Sequence, residues 1–329
     1  MIFSYFARET VVWHNDPDLD LYALNITIPG LSPRFQQVHC TADAQVCHLT
    51  TDMGEIHAAA SAMALWMSDC FDLTSTYFLL AGIGGINPHM GTISSVTFAR
   101  YAVQLDLQYL FSESQIPPDF PTGFVPQKSH RPDEYPGVLY GTEVFELNDR
   151  LRMRAVQIAH RAVLNDTTAA MKKRAGYLDA PANEPPTVLA CDTMTSNNWW
   201  SGSVLGDAFA GYVKLLTNGS AEPCTTQQED NATLEALLRG AVAERLDFSR
   251  IILMRTASDF ARAPPGRTEY DHLVNTGWEG FVPALQNIYL AGIEIVRDIL
   301  MNWDEEYASG TRPDNYIGDL WNSLEEANN

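Results

Sequence analysis

Residues 249–266, SRIILMRTASDFARAPPG, join an apolar run to side chains able to do acid–base chemistry. Ile251, Ile252, Leu253 and Met254 give way to Arg255, Thr256, Ser258 and Asp259, and a proline-rich loop follows. Such a pattern is expected of a buried parallel strand that delivers a carboxylate to the carboxyl edge of an α/β sheet, where ligands bind. An Asp placed there can be kept protonated and used as a general acid. Glu229 and Asp230 form a second acidic site, at the start of a helical pattern. Carboxyl groups in two different environments let one fold hold an ionised hydroxyl-binder beside a neutral acid. Acid at a helix start also suits the macrodipole by itself, and a structural Arg255–Asp259 ion pair would give the same sequence pattern.

Two further stretches have chemical potential. Gly82-Ile83-Gly84-Gly85 follows an apolar run, and glycines there let a backbone approach a ligand closely. The run is not the GxGxxG that opens a helix, so no dinucleotide is expected, and no cofactor at all. Asp192, Thr193, Met194 and Thr195 read as the polar end of a strand, followed by Asn197-Asn198-Trp199-Trp200. Polar groups beside aromatics suit a flat heterocycle, and a capping turn with core tryptophans is the plainer explanation. His57 lies in an Ala-rich helix, where an edge or core role is the commoner one. No GxSxG exists, which disfavours a serine hydrolase. No CxxC spacing or His–Cys grouping suggests a metal.

The elements that must position these groups alternate. Strands are expected over residues 1–6, 46–50, 76–82, 186–191 and 251–255, and a bent β-rich segment over 95–109. Residues 7–9 read as a loop, and the 76–82 strand as breaking at the glycines. Helices are expected over 55–68, from about Asn148 to 164, over 206–216, from Thr226 to 246, and within 278–303. Residues 112–140 are rich in Pro and Gly and read as a long loop insertion. This indicates a single α/β domain over residues 1–329, built on a twisted, mostly parallel mixed sheet flanked by helices.

Composition narrows the partners. The chain has 329 residues, 46% of them hydrophobic, with 21 Lys+Arg against 41 Asp+Glu for a formal charge of -20. That argues against nucleic acid, which needs a basic face. The best apolar run, residues 77–86, is too short to span a membrane, for which about 20 residues are needed. The first residues lack the basic start and cleavage site of a secretory signal. Of five cysteines, Cys40 and Cys47 flank a short polar loop and could pair, and the odd count leaves at least one free thiol. Four Asn-x-Ser/Thr sequons, at Asn25, Asn165, Asn218 and Asn231, are a weak secretory signal.

YFLLAGIGGINP (77–88), TFARYAVQ (97–104), DEYPGVLYGTEVFELND (133–149), CTTQQEDNATLEALLR (224–239) and FSRIILMRTASDF (248–260) resemble the fungal family named purine nucleoside permeases, along nearly the whole chain. That family is in turn similar to the nucleoside phosphorylases and methylthioadenosine nucleosidases. The resemblance implies a three-layer fold and cleavage of the N-glycosidic bond of a purine nucleoside. It implies that Asp259 protonates the purine at N7 and that Glu229, or else Asp230, binds ribose hydroxyls. Gly82, Gly84 and Gly85 would lie by the ribose, with Arg255 and Ser258 nearby, and residues 192–195 would edge the base pocket. It also implies a homo-oligomer whose neighbour completes the pocket, with Phe145 as a contributor.

Departures from the family's pattern cluster near the pocket. The usual Pro-Glu-Ala-Glu-Val-Trp reads Arg8-Glu9-Thr10-Val11-Val12-Trp13, so the water-activating acid falls to Glu9. The usual Gly-x-Gly-Glu-Ile-Asn reads Asp52-Met53-Gly54-Glu55-Ile56-His57, and Met90 departs too. The Arg and Ser of phosphate-using relatives are replaced by Leu79, Leu80 and Ile83, which favours water as nucleophile, with Arg8 as the one group that could meet phosphate. Two rival expectations remain: a repurposed pocket for cyclisation or isomerisation in secondary metabolism, and a nucleoside-binding protein without turnover.

Overall fold

Apolar alternation decides which side of the sheet each strand residue covers, and the computed structural model, which describes residues 1–275 and 277–326, carries this through the centre of the molecule. The strands are β1 (Ile2–Ser4), β2 (Leu24–Thr27), β3 (Gln37–Cys40), β4 (Cys47–Thr50), β5 (Phe78–Ile86), β6 (Val96–Ala99), β7 (Tyr101–Gln104) and β8 (Gln108–Leu110). They continue as β9 (Phe124–Pro126), β10 (Val144–Glu146), β11 (Val188–Ala190), β12 (Asp192–Thr195), β13 (Pro223–Gln227), β14 (Ile251–Phe260) and β15 (Gly318–Asp319). The main helices are α1 (Ala7–His14), α2 (Glu55–Met67), α3 (Asp149–Ala159), α4 (Thr168–Arg174), α5 (Ser203–Leu216), α6 (Asp230–Val242), α7 (Glu269–Val274) and α8 (Phe281–Met301).

Strands β4, β1, β5 and β14 form a parallel centre. Ile2, Leu79, Ala81, Ile252 and Met254 face a core shared with Trp13, α3 and α8. Their neighbours Phe3, Phe78, Leu80, Ile251 and Leu253 face the opposite core, with α2 and α6. This is the period of two that a doubly covered strand requires. On α8, Ile288, Ala291, Gly292 and Ile295 share the buried stripe.

The sheet is mixed and curls on itself. β14 lies antiparallel to β6, which passes through Arg100 into β7; β7 is parallel to β12, β12 to β13, and β13 returns antiparallel to β5. The middle of the sheet therefore closes into a ring, with β3 and β2 extending one side and β10 and β15 the other. The α/β class and mostly parallel centre agree with the sequence reading.

Several expectations need correction. Residues 7–9 are not a loop but the first turn of α1, despite β-branched Thr10, Val11 and Val12, because fully buried Trp13 anchors the helix in the core. β5 does not break at Gly82 but runs through to Ile86. The 186–191 strand does not end at Asp192; it continues as β12, which Asp192 begins. Thr226 belongs to β13, and α6 starts at Asp230 with Glu229 as its N-cap residue. β14 extends to Phe260, with a register shift between Ala257 and Asp259. The 95–109 segment divides into β6, β7 and β8, and residues 112–140 contain β9, which pairs with β8. Strands β2 and β3 were not anticipated. Cys40 and Cys47 are disulfide-bonded, a second disulfide joins Cys191 to Cys224, and Cys70 is free.

Candidate active site

A cavity of about 270 Å³ opens where the carboxyl ends of β1, β5, β13 and β14 converge. Register explains which side chains meet there. β14 pairs with β5 so that Arg255 stands opposite Gly82 and Asp259 opposite Gly85. A Cβ on Gly82 would sit 2.6 Å from Arg255 Nη1 and 2.7 Å from the Tyr5 ring; one on Gly84 would sit 2.4 Å from the Thr226 carbonyl oxygen. Those two glycines are thus needed for close packing of Tyr5, Arg255 and β13, not for a break in the strand. Gly84 and Gly85 lie in the cavity wall, and Gly82 lies behind it.

Asp259 is half-buried in that wall. Burial pushes its carboxyl pKa up, against the opposing effects of Ser258, Lys173 and His272. The Ser258 hydroxyl lies 3.0 Å from Asp259 Oδ1 and 3.1 Å from the Gly84 carbonyl oxygen. Burial thus shifts this carboxyl towards its neutral form relative to an exposed one, and the Ser258 hydroxyl opposes that shift.

Glu9 reaches the same cavity from the first turn of α1 and is 1% exposed. Its Oε2 accepts from the Tyr5 N–H and its Oε1 from the Ile83 N–H, both at 2.7 Å. Burial raises its pKa to about 8, the Arg255 charge and the two backbone donors opposing and Glu229 adding to the rise.

Glu229 lines the cavity, and Asp230 lies completely buried beneath it. Arg255 ties them together: Nη2 donates to Glu229 Oε2 at 3.1 Å and to Asp230 Oδ1 at 2.5 Å, Nε donates to Asp230 Oδ2 at 3.2 Å, and Nη1 to the Ile83 carbonyl at 2.9 Å. The guanidinium also stacks 4.3 Å from the Tyr5 ring centroid, and the Tyr5 hydroxyl donates to Asp230 Oδ1 at 3.3 Å. The other Glu229 oxygen, Oε1, accepts from the Gly54 N–H at 3.1 Å. Burial raises both carboxyls, and Arg255 opposes it. Both acids bind Arg255, but of the two only Glu229 lines the cavity.

Other sequence candidates lie elsewhere. Asp192 sits at the amino end of β12, away from the cavity, where its carboxylate accepts from the N–H groups of Arg100, Tyr101 and Glu222. Thr193, Met194 and Thr195 are buried in β12; Thr195 binds Asn231 and Gln227. The wall is built instead by the next residues, Ser196 and Asn198 to Trp200. His57 is exposed on the outer side of α2 and does not line the cavity. Arg8 is exposed, its guanidinium 5.4 Å from the Phe281 ring centroid, outside the wall. Phe145 is fully buried within its own chain's core and so cannot reach a neighbour's pocket. Among the described residues Arg255 is the only Lys, Arg or His in the cavity wall, and its donors are engaged.

An aromatic mouth completes the cavity. Trp199 lies 5.5 Å from Trp278, Trp278 lies 5.7 Å from Phe281, and Phe281 lies 6.1 Å from Phe6, centroid to centroid. The Trp199–Trp200 pair was visible in the sequence. Tyr5, Met53, Trp278 and Phe281 were not, since residues so far apart meet only through the strand order.

The sequence profile of the family described as purine nucleoside permease (NUP) matches residues 1–312. A purine nucleoside permease of Candida albicans is 44% identical over 329 residues, spanning 98% of this chain and 80% of its own length. A probable purine nucleoside permease of Schizosaccharomyces pombe is 37% identical over 311 residues, spanning 92% and 89%. Among solved structures, the fold is similar to the 5′-methylthioadenosine/S-adenosylhomocysteine nucleosidase of Neisseria meningitidis, with TM-score 0.52, 12% identity and 90% and 97% of the two chains covered. It is similar as well to the futalosine hydrolase of Helicobacter pylori, with TM-score 0.53, 12% identity and 90% and 96% covered. At such identities the likeness concerns the fold.

Proposed function

The chain belongs to the purine nucleoside permease family, and on that premise we propose that it cleaves the N-glycosidic bond of a purine nucleoside, with water as the nucleophile. The observation that carries this reading is the convergence of Asp259, Glu229 and Glu9 on one cavity whose arginine is already engaged. Its volume of about 270 Å³ lies just below the roughly 300–1,000 Å³ usual for small-molecule clefts. The word permease in the family's description describes a different activity; among the described residues no helix is long and apolar enough to cross a membrane.

In this reading the base stacks among the mouth aromatics and Asp259 donates its proton to purine N7. The bond between the ribose anomeric carbon and N9 breaks, and its electron pair leaves with the protonated, now neutral base. Positive charge develops on the ribose, and Glu229 holds the ribose hydroxyls. Water adds to the anomeric carbon, and its proton passes to Glu9. Phosphate would need convergent cationic donors. The absence of a disengaged cation in the described wall therefore favours water.

The acid missing at Val11 argues less strongly for a repurposed pocket than the sequence suggested. Val11 is 49% exposed on α1, while Glu9 points inward. Chromatography of adenosine and inosine digests tests the reading: free base should appear with the native protein. Intact nucleoside after prolonged incubation, with and without phosphate, would refute it.

A further inference from the structure

The turn at residues 52–54 holds an unusual backbone. Asp52 has φ +78° and Gly54 has φ +85°. Glycine is at ease there, whereas aspartate bears strain that persists only when its surroundings over-determine it. Here they do. Asp52 is 3% exposed, and its carboxylate accepts from the Ser32 hydroxyl, from Arg34 Nη1 and from the Met53 N–H, each at 3.0 Å. Its carbonyl accepts from the Thr51 hydroxyl at 3.0 Å, and the Thr51 carbonyl in turn accepts from Ser61 on α2 at 2.9 Å. The fixed turn aims the Gly54 N–H at Glu229 Oε1 and places the Met53 side chain in the cavity wall.

We propose that Asp52 is a positioning residue: its buried carboxylate locks the strained 52–54 turn, the turn fixes Glu229 through Gly54, and the fixed Glu229 selects ligands that carry both ribose hydroxyls. This rests on the reading of Glu229 as the hydroxyl-binding acid. With Oε1 held by Gly54 and Oε2 by Arg255 and the Gln228 N–H, the Glu229 carboxylate has one orientation in the cavity wall. Without the Asp52 anchor the Oε1 side of that clamp loosens, while Arg255 and the Gln228 N–H still hold Oε2.

Asp52→Asn and Asp52→Gly both tolerate positive φ, so they remove the carboxylate while sparing the backbone. Each variant is compared with native protein in turnover of adenosine and 2′-deoxyadenosine, and by hydrogen exchange at the Gly54 amide. The preference for the ribonucleoside should fall about tenfold, the equivalent of one hydrogen bond, chiefly through KM. Gly54 should exchange faster, and in a Glu229→Gln background Asp52→Asn should cost the preference nothing more. An unchanged preference with unchanged Gly54 exchange overturns the proposal. Equal loss on both nucleosides with a lowered Tm also overturns it, since that is purely structural damage. If the native protein shows no preference, the hydroxyl-binding reading of Glu229 fails, and Gly54 exchange alone then decides whether Asp52 sets the turn.

Discussion

Asp259 is the side chain on which the proposed chemistry turns. Asp259→Asn keeps the shape but removes the acidic proton, so kcat should fall by roughly 10²–10⁴ with KM little changed; steady-state kinetics on inosine check this. Glu9, as the proposed base, should set the pH dependence. With its pKa at about 8, the ionised base is scarce below neutrality, and kcat/KM should rise with pH up to that region. Glu9→Gln should remove the ascending limb, and a limb that survives the substitution would assign it to another group. Asp259 was legible because an apolar run ends in it. Glu9 was legible only as a residue type; the two backbone donors that hold it come from Tyr5 and Ile83, and no local pattern links those positions. Asp192 was misread because the polar residues after PTVLAC look like a strand end. They stay in the sheet because Thr193 and Thr195 find partners in Gln227 and Asn231.

Among elements, the junction of β1, β14 and α6 is the most heavily charged buried contact around the site. Arg255 joins those elements with 2% of its side chain exposed. Arg255→Met would leave two buried carboxylates without their counter-charge, and a loss of about 3–5 kcal/mol in denaturant unfolding is expected. The contact of α1 with β3 and β4 is sensitive to acid for a different reason. His14 Nε2 lies 3.2 Å from His48 Nδ1, His48 Nε2 lies 3.0 Å from the Ser4 hydroxyl, and His39 packs against His14. Burial lowers all three, His14 to about 4. A histidine held below its unfolded value supports the fold above about pH 6.5, and that support is lost as pH falls towards 4. The Tm gap between native protein and His14→Phe should therefore narrow as pH drops through that window. A constant gap would show that the cluster does not titrate with folding. This cluster was invisible in the sequence because its members lie on α1, β3 and β4. By contrast β14 was legible from its apolar run, α2 from its alanines and α8 from its amphipathic pattern, since each signal is local in the chain.

Over the whole molecule, the α/β class followed from alternating apolar segments, but the closed ring did not. Ring closure depends on β6–β7 leaving β14 for β10 at Arg100 and on β12 taking up β13 beyond Cys191, and neither position has a turn signal. The ring brings the ends of β1, β5, β13 and β14 to one rim, where acids from three distant stretches share a cavity. Glu229 and Asp230 already pair with the one arginine of the described wall, and Glu9 and Asp259 share the same cavity. Among the described residues the wall therefore offers no disengaged cation to an anionic co-substrate, which is why water is the proposed nucleophile. Inosine turnover in ¹⁸O-labelled water with phosphate present tests it most directly. Free hypoxanthine and ribose labelled at the anomeric oxygen are expected, at a rate that does not depend on phosphate. Accumulation of unlabelled ribose 1-phosphate, with no turnover when phosphate is left out, would contradict it.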